Sequence, residues 1–357
     1  MGGGQWENPS WCGGWLPDPT ACVIVGVYLV LNLLLNYYNA FLLGGSNGHL
    51  HLPIPIFYTL LHQVTIVAMT AIWCCLVPSV RFPVKATFLD NWGWLIFVSV
   101  VYAASIATNN ASFASISLTV NTIFKSAMPF PTMVFSYFIE GKTYSIPILL
   151  IVSVLVFGTL LAVPYGEHTP DSDSPEWVGY VLVIFSMVAT AIRPVVSSHL
   201  MRNAEAKGSR NSLTAVSMAF FDAGIAICLL LPVSLVTDVI VKDGVQQVFM
   251  QEFGLRNAGY ITIGCIMAGI YGPVTFYTIK LTSSLTFIII GNFKQLFLLT
   301  GAALFVDHVT KPCLWIGVVV TALASVAYSG WSNKEKREAA EAAARKKEAE
   351  AKLLAKP

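Results

Sequence analysis

Three basic residues and one acidic residue lie inside stretches of sequence that are otherwise apolar. The bases are Lys125, Arg193 and Lys294, and the acid is Asp222. An ionisable side chain within a membrane is energetically unfavourable, so each of the four predicts a function. The excess of positive charge favours a cavity for an anionic substrate over a pump for cationic drugs. Neutralisation of Arg193 by Asp222 in a structural ion pair is an open alternative.

Polar side chains recur at helical spacing near these charges. Asn32, Asn36 and Asn39 are spaced i, i+4 and i+7, which predicts a polar stripe on one face of a helix. Thr122 precedes Lys125 by one helical turn and shares its face. The stripes are consistent with a shared polar cavity, although interhelical hydrogen bonds alone would also explain the asparagines.

No pattern of catalytic or metal-binding residues competes with this interpretation. The chain has 6 histidines and 7 cysteines, and none of them has the paired spacing of a metal site. His62 falls inside an apolar stretch, where a buried core residue is an equally good explanation. We therefore predict no catalytic residues, no metal and no cofactor. A formal net charge of +2 also argues against nucleic-acid binding.

The elements that must position these residues are predicted to be transmembrane helices. Only 11% of the 357 residues are charged, against 55% that are hydrophobic, and mean hydropathy is +0.68. So few charges cannot cover the surface of a soluble protein of this size, so lipid must solvate most of it. Ten stretches are long and apolar enough to span a bilayer: 21–43, 54–78, 92–113, 116–138, 145–164, 176–201, 212–240, 258–279, 282–305 and 312–331.

The distribution of Lys and Arg between these stretches predicts the orientation. Fifteen of these residues lie in one set of loops and the C-terminal tail, and three lie in the opposite set of loops. Because positive loops stay in the cytoplasm, both termini are predicted to be cytoplasmic. The predicted organisation is a cytoplasmic segment 1–20, five helices in 21–164, five in 165–331, and a charged helical tail in 332–357.

An internal repeat relates the two groups of five helices. An ungapped shift of 167 residues aligns Ser117-Leu118-Thr119 with Ser284-Leu285-Thr286, and Phe138-Ile139-Glu140 with Phe305-Val306-Asp307. An offset of five helices places the two copies in opposite orientations, as in many secondary transporters. Chance matching of apolar sequence is the alternative. The predicted fold class is an all-α polytopic membrane protein of ten transmembrane helices in two inverted five-helix repeats.

Several short motifs resemble the triose-phosphate translocator/nucleotide-sugar transporter family of the drug/metabolite transporter superfamily. The first-helix asparagines, the sequence Ile123-Phe124-Lys125-Ser126, Ile192-Arg193 and the sequence Gly291-Asn292-Phe293-Lys294 are similar to motifs of its first, fourth, sixth and ninth helices. Together the motifs cover most of 28–328. The resemblance implies the drug/metabolite transporter fold, alternating access, and exchange of a phosphate-bearing sugar for phosphate or a nucleoside monophosphate.

The same resemblance assigns roles to particular residues. It implies that Lys125 and Lys294 bind substrate phosphate. Gln295 stands where triose-phosphate members have an arginine, which removes a bidentate phosphate ligand. We expect the other contacts to the substrate to come from polar side chains near the charges. They are Arg193, Asn36, Asn39, Thr122, Tyr271, Asn292 and Gln295.

These considerations favour a transporter rather than an enzyme. The expected function is antiport of a nucleotide sugar against a nucleoside monophosphate in the membrane of the Golgi or endoplasmic reticulum. No plastid transit peptide is recognised at the N-terminus, which weakens the alternative, a plastid-type sugar-phosphate/phosphate antiporter. A structural or chaperone-like membrane protein would tolerate loss of both lysines. Small residues such as Gly301 and Ala302 permit close helix packing and are compatible with a homodimer.

Overall fold

The computed structural model describes residues 19–43, 52, 54–112, 121, 124–125, 127–162, 176–206, 213–241, 243–250, 254–305 and 312–354. Within these residues the chain is helical and has no strand. The helices are α1 (Pro19–Leu43), α2 (Pro55–Leu76), α3 (Val84–Ser112), α4 (Pro129–Glu140), α5 (Ile146–Ala162), α6 (Glu176–Ala206), α7 (Ala215–Ser234), α8 (Gly254–Leu281), α9 (Ser284–Phe305) and α10 (Pro312–Leu354). A short helix, Gly244–Met250, precedes α8, and a π-helical segment, Leu235–Val241, extends α7.

The prediction of an all-α protein with membrane-spanning helices is confirmed for the described part of the chain. In the described part of the chain, 7 helices are long and apolar enough to cross a membrane. Large apolar side chains point outward, as in Leu76 and Phe138, which are each 75% exposed, whereas Asn32 and Asp222 are buried. A surface of this kind matches lipid and not water. A helix overlaps each of the ten predicted spans, but their number and the inverted repeat stay predictions.

Local sequence explains where several helices begin and end. Pro55 and Pro129 stand in the first turns of α2 and α4, where a missing N–H is tolerated. Thr214 and Ser217 form a capping box at the start of α7. Helix α4 ends at Gly141, which has a positive φ of 67° that glycine adopts without strain.

Packing divides the chain into two compact units. The first unit comprises Met1–Ala107 and Ile192–Phe287, and the second comprises Thr108–Ala191 and Ile288–Pro357. Each unit therefore takes helices from both predicted repeats. Helices α3, α6 and α9 each contribute residues to both units.

The first unit is built around α2, which packs against α7 and α8, while α1 also packs on α8. One of its buried clusters includes Leu42, Ile54, Tyr58 and Ile261. Gly264 allows the close approach of α8 to α2, because a Cβ there would lie 1.9 Å from the hydroxyl oxygen of Tyr58. This packing fixes the relative positions of the helices that carry the polar cluster described below.

The second unit is centred on the pair α5 and α10. Gly158 on α5 lies against Thr321 on α10, and a Cβ at this glycine would be 2.9 Å from the Thr321 backbone nitrogen. Helix α10 continues as one helix into the charged tail. The start of the tail contacts the same unit, since Ser145 Oγ donates a hydrogen bond to Glu335, which also accepts one of 2.8 Å from Trp331 Nε1.

Candidate functional site

The first unit contains an ion pair between α6 and α7, in which Asp222 is buried and Arg193 is half-buried. Arg193 Nη2 donates a hydrogen bond to Asp222 Oδ2. The second carboxylate oxygen, Oδ1, accepts a hydrogen bond of 3.2 Å from Ser99 Oγ on α3. Asp222 thus links three helices, and its charge is compensated by the guanidinium beside it. The structure brings together the two residues for which the sequence suggests an ion pair.

Aromatic side chains hold the guanidinium of Arg193 in place from other directions. Its Cζ atom lies 3.7 Å from the ring centroid of Tyr102 and 5.2 Å from that of Phe276. A guanidinium over an aromatic face gains a cation–π interaction that strengthens away from water. The sequence does not point to Tyr102, Ser99 or Phe276, because an uncharged residue in an apolar helix has no signal that sets it apart.

Several buried polar atoms on α6 have no hydrogen-bond partner among the described residues. They include the Nε of Arg193 and the hydroxyls of Ser197 and Ser198 on the next turn of the helix. The Arg193 side chain is 20% exposed, against 4% for Asp222. The cation is therefore the more accessible member of the pair.

Helix α1 extends this polar cluster toward α8. Asn32 Nδ2 donates a hydrogen bond of 2.5 Å to the Tyr271 hydroxyl, and the Tyr28 ring stacks on Tyr271 with centroids 5.7 Å apart. On the same helix as Tyr271, Phe276 lies against the guanidinium of Arg193, with its ring centroid 5.2 Å from the Cζ atom. Tyr271, expected from the sequence to contact substrate, therefore belongs to the same cluster as Arg193.

The other two asparagines of the predicted stripe have different surroundings. Asn36 is exposed, and its Nδ2 donates hydrogen bonds of 2.6 Å to the backbone oxygen and Oδ1 of Asn32. Asn39 Oδ1 accepts a hydrogen bond of 3.2 Å from the Tyr58 hydroxyl on α2. The interhelical bonds of Asn32 and Asn39 agree with the alternative in which asparagines join helices.

The second unit holds the two lysines. Lys125 and Lys294 are each half-buried, and their ammonium groups lie close enough to repel each other. Nearby on the fourth predicted span, Asn121 Nδ2 donates hydrogen bonds of 3.0 Å to Asn109 Oδ1 and 2.9 Å to Ser112 Oγ. A ligand with two negative charges would relieve the repulsion between the lysines.

The remaining predicted site residues are only partly described. Asn292 on α9 is buried in the second unit. Thr122 and the side chain of Gln295 lie outside the described residues. In the described part of the chain, no group of His, Cys, Asp and Glu could hold a metal ion. His62 is buried beside Tyr58, with ring centroids 4.1 Å apart.

Comparison with known proteins identifies the family. A family model described as the Triose-phosphate Transporter family matches residues 20–329. A probable sugar phosphate/phosphate translocator of Arabidopsis thaliana is 25% identical over 285 residues, which are 77% of this chain and 73% of that protein. UDP-uronic acid transporter 1 of the same plant is 25% identical over 285 residues, or 77% of this chain and 84% of that protein.

The fold has a counterpart among solved structures. One crystal structure has a TM-score of 0.62 over 88% of this chain and 98% of that one, with 13% identity, a likeness of fold alone. The family match covers all the motifs from which the resemblance was inferred and most of the predicted spans. This chain therefore belongs to the Triose-phosphate Transporter family, whose members are membrane transporters and not enzymes.

Proposed function

We propose that this protein is a secondary-active antiporter that moves a nucleotide sugar across an endomembrane in exchange for a nucleoside monophosphate. The observation that carries the proposal is that two basic residues, Lys125 and Lys294, are both half-buried within one unit of a transporter. Two cations that repel each other inside a membrane are stabilised by a dianion, and a phosphate-bearing metabolite supplies one.

Exchange rather than one-way transport follows from the same pair. When the site is empty, the two ammonium groups repel each other in a medium that screens charge poorly. A bound phosphate group removes this repulsion, so reorientation with a ligand is favoured over reorientation without one. Alternating access then couples the outward movement of one phosphate compound to the inward movement of another.

The architecture proposed with this function is the one inferred from the sequence. Ten helices form two inverted five-helix repeats, 21–164 and 165–331, with both termini in the cytoplasm and the tail 332–357 outside the membrane. Arg193, Asn36, Asn39, Tyr271, Thr122, Asn292 and Gln295 are proposed as further substrate contacts, each to be tested singly. The Golgi or endoplasmic reticulum is the proposed location, supported by the similarity to a UDP-uronic acid transporter.

A sugar-phosphate/phosphate antiporter is the second candidate. Its support is the similarity to probable sugar phosphate/phosphate translocators, which are 23% and 25% identical to this chain. The lysine pair suits either substrate class, because both carry phosphate. Gln295 in place of an arginine favours the nucleotide sugar, since an amide can hydrogen-bond a sugar or a base but binds phosphate more weakly than a guanidinium.

A thermal-shift screen followed by exchange in liposomes tests these proposals. The purified full-length protein is melted with nucleoside monophosphates, nucleotide sugars, triose and hexose phosphates, phosphoenolpyruvate and inorganic phosphate. Stabilisation by one nucleoside monophosphate and its sugar conjugates supports the first candidate. Stabilisation only by sugar phosphates and phosphate supports the second, and a lack of response to every anion contradicts both.

The role of the lysines is tested in the same liposomes. We expect Lys294→Ala to lose exchange while the protein stays folded. The matched control is Lys85→Ala, which removes an exposed lysine at the start of α3 and should retain exchange. Intact exchange in a folded Lys294→Ala protein would refute the central role of the lysine pair.

A further inference from the structure

We propose that Cys75 is a site of reversible S-acylation, which takes a long-chain acyl group in thioester linkage at the cytoplasmic end of α2. Two adjacent cysteines, Cys74 and Cys75, lie in the last turn of this helix. A cysteine beside the membrane boundary is the position at which proteins are acylated in this way. The inference rests on the orientation proposed above, in which the segment 79–91 is cytoplasmic, and not on the identity of the transported substrate.

The first step is that Arg81 fixes the end of α2 at a membrane boundary. Its Nε donates a hydrogen bond of 2.8 Å to the Cys74 backbone oxygen, and its Nη2 donates one of 2.8 Å to the Cys75 backbone oxygen. The last carbonyls of a helix lack partners within the helix, so the guanidinium completes the helix end. Because Arg81 is exposed and charged, it requires water or lipid headgroups around it. The Cys75 thiol therefore lies close to the end of the hydrocarbon region.

The second step is that the two thiols differ in accessibility. Cys74 is half-buried, and its Sγ donates a hydrogen bond of 3.8 Å to the Val80 backbone oxygen. Cys75 is exposed. The attacking group in acyl transfer is the thiolate, and its sulfur must reach the acyl donor. The structure therefore assigns the modification to Cys75 and not to its neighbour.

The third step is that α2 offers a surface for the attached chain. Exposed side chains precede Cys75 by 3, 4, 7 and 11 residues, which places them on one face of the helix; they are Ile72, Ala71, Ala68 and Val64. The stripe is about 16 Å long, close to half of a hydrocarbon core about 30 Å thick. The two alanines leave room along this face, so an acyl chain on Cys75 can lie against α2 within one leaflet.

The chemistry is a thioester exchange. The Cys75 thiolate attacks the carbonyl carbon of a long-chain acyl-coenzyme A, a new carbon–sulfur bond forms as the old one breaks, and coenzyme A leaves and takes up the proton that Cys75 lost. The exchange needs no oxidant or reductant. Hydrolysis of the new thioester by water returns the free thiol and a fatty acid. While it is attached, the buried chain would hold the end of α2 more firmly in the membrane.

Capture of thioesters from cell membranes tests the site. The full chain is produced in eukaryotic cells, free thiols are blocked with N-ethylmaleimide, and thioesters are cleaved with neutral hydroxylamine so that the released thiols bind a thiol-reactive resin. We expect capture of the wild-type protein only after hydroxylamine, and loss of this capture in Cys75→Ser. Cys74→Ser is the matched control, because it changes the adjacent, half-buried thiol, and it should retain capture.

Three further exposed thiols separate the position of Cys75 from exposure alone. Cys228 lies within α7, and Cys313 lies at the start of α10, on the opposite side of the membrane in the proposed orientation. Cys22 lies near the start of α1, on the same side as Cys75. Cys228→Ser, Cys313→Ser and Cys22→Ser should each be captured like the wild type.

The results that would overturn the proposal are distinct from a failure of transport. The proposal is refuted if the wild-type chain is not captured while acylated host proteins from the same membranes are. It is also refuted if capture persists in Cys75→Ser, or is lost in Cys74→Ser or Cys22→Ser instead. Exchange in liposomes is measured separately, and Cys75→Ser should exchange like the wild type. A chain that is acylated at Cys75 but exchanges no phosphate compound would refute only the proposed function.

Discussion

The basic residues inside the two units of this transporter have neighbours of opposite charge. In the first unit Arg193 faces an acid, Asp222, and two aromatic rings. In the second, Lys125 faces another cation, Lys294. An opposite-charge pair lowers the cost of burying each of its charges, whereas a like-charge pair raises that cost, and in the proposed function a phosphate-bearing ligand offsets it.

The difference shows that the role of a charged residue in a membrane depends on the charge of its neighbours. Each of the three cations looks alike in the sequence, as a basic residue in an apolar helix. Their neighbours decide whether removal of the charge harms folding or transport. Substitutions in the ion pair of the first unit should therefore reduce stability, and substitutions in the lysine pair of the second unit should reduce transport.

The largest effect is expected from Asp222→Ala in the first unit. This change leaves the guanidinium of Arg193 buried without its carboxylate, which typically destabilises a protein by about 3–5 kcal/mol. Thermal unfolding of the purified protein in detergent measures the effect. The double variant Arg193→Met/Asp222→Ala should recover much of the loss, because a neutral pair has no uncompensated charge. A melting temperature that stays at the wild-type value in Asp222→Ala would mean that the pair is not structural.

Lys125→Ala in the second unit is expected to weaken substrate binding without lowering stability. Loss of one charge-assisted contact to phosphate weakens binding by about 2–3 kcal/mol, or roughly 30- to 150-fold in the half-saturating concentration. Stability should not fall, since a repulsion is removed. Lys125→Glu sharpens the comparison: an acid facing Lys294 should raise the melting temperature and abolish exchange. Equal loss of stability in Lys125→Ala and Asp222→Ala would eliminate the distinction between the units.

Much of this could be predicted from the sequence, because the signals are strong and local. Apolar length indicates the helices, and a helix overlaps each predicted span. Charges in apolar surroundings single out Lys125, Arg193 and Lys294. Such features are visible without knowledge of the tertiary structure, because each depends on one residue type in one segment.

The partners of those charges could not be predicted in the same way. Tyr102 and Ser99 are ordinary residues of an apolar helix, and only packing of α3 beside α6 and α7 brings them to Arg193 and Asp222. The division into units is equally hidden, since it joins residues that are far apart in the chain. Packing between distant segments determines both the partners of the charges and the division into units, and a single sequence does not show which distant segments pack together.

A smaller effect is expected from Gly158→Ala, which tests how tightly α5 packs on α10 in the second unit. The new Cβ would lie 2.7 Å from Thr321 Oγ1 and 2.9 Å from the Thr321 backbone nitrogen, and backbone cannot move aside cheaply. Overpacking of this kind destabilises by about 1–3 kcal/mol. Gly330→Ala on α10 is the control, because nothing lies within 4 Å of its added Cβ. If both variants melt like the wild type, the contact between α5 and α10 is looser than the structure indicates.

The smallest effect is expected from Ser99→Ala, which removes the second hydrogen bond to Asp222 and leaves the ion pair in place. The bond is 3.2 Å long and joins α3 to α7, and interhelical hydrogen bonds within membranes contribute about 0.6 kcal/mol on average. A shift of this size in thermal unfolding would show that Arg193 is the main partner of Asp222. If Ser99→Ala instead destabilised the protein as much as Asp222→Ala, the carboxylate would be held chiefly by the serine. The contrast between an opposite-charge unit and a like-charge unit would then lose its basis.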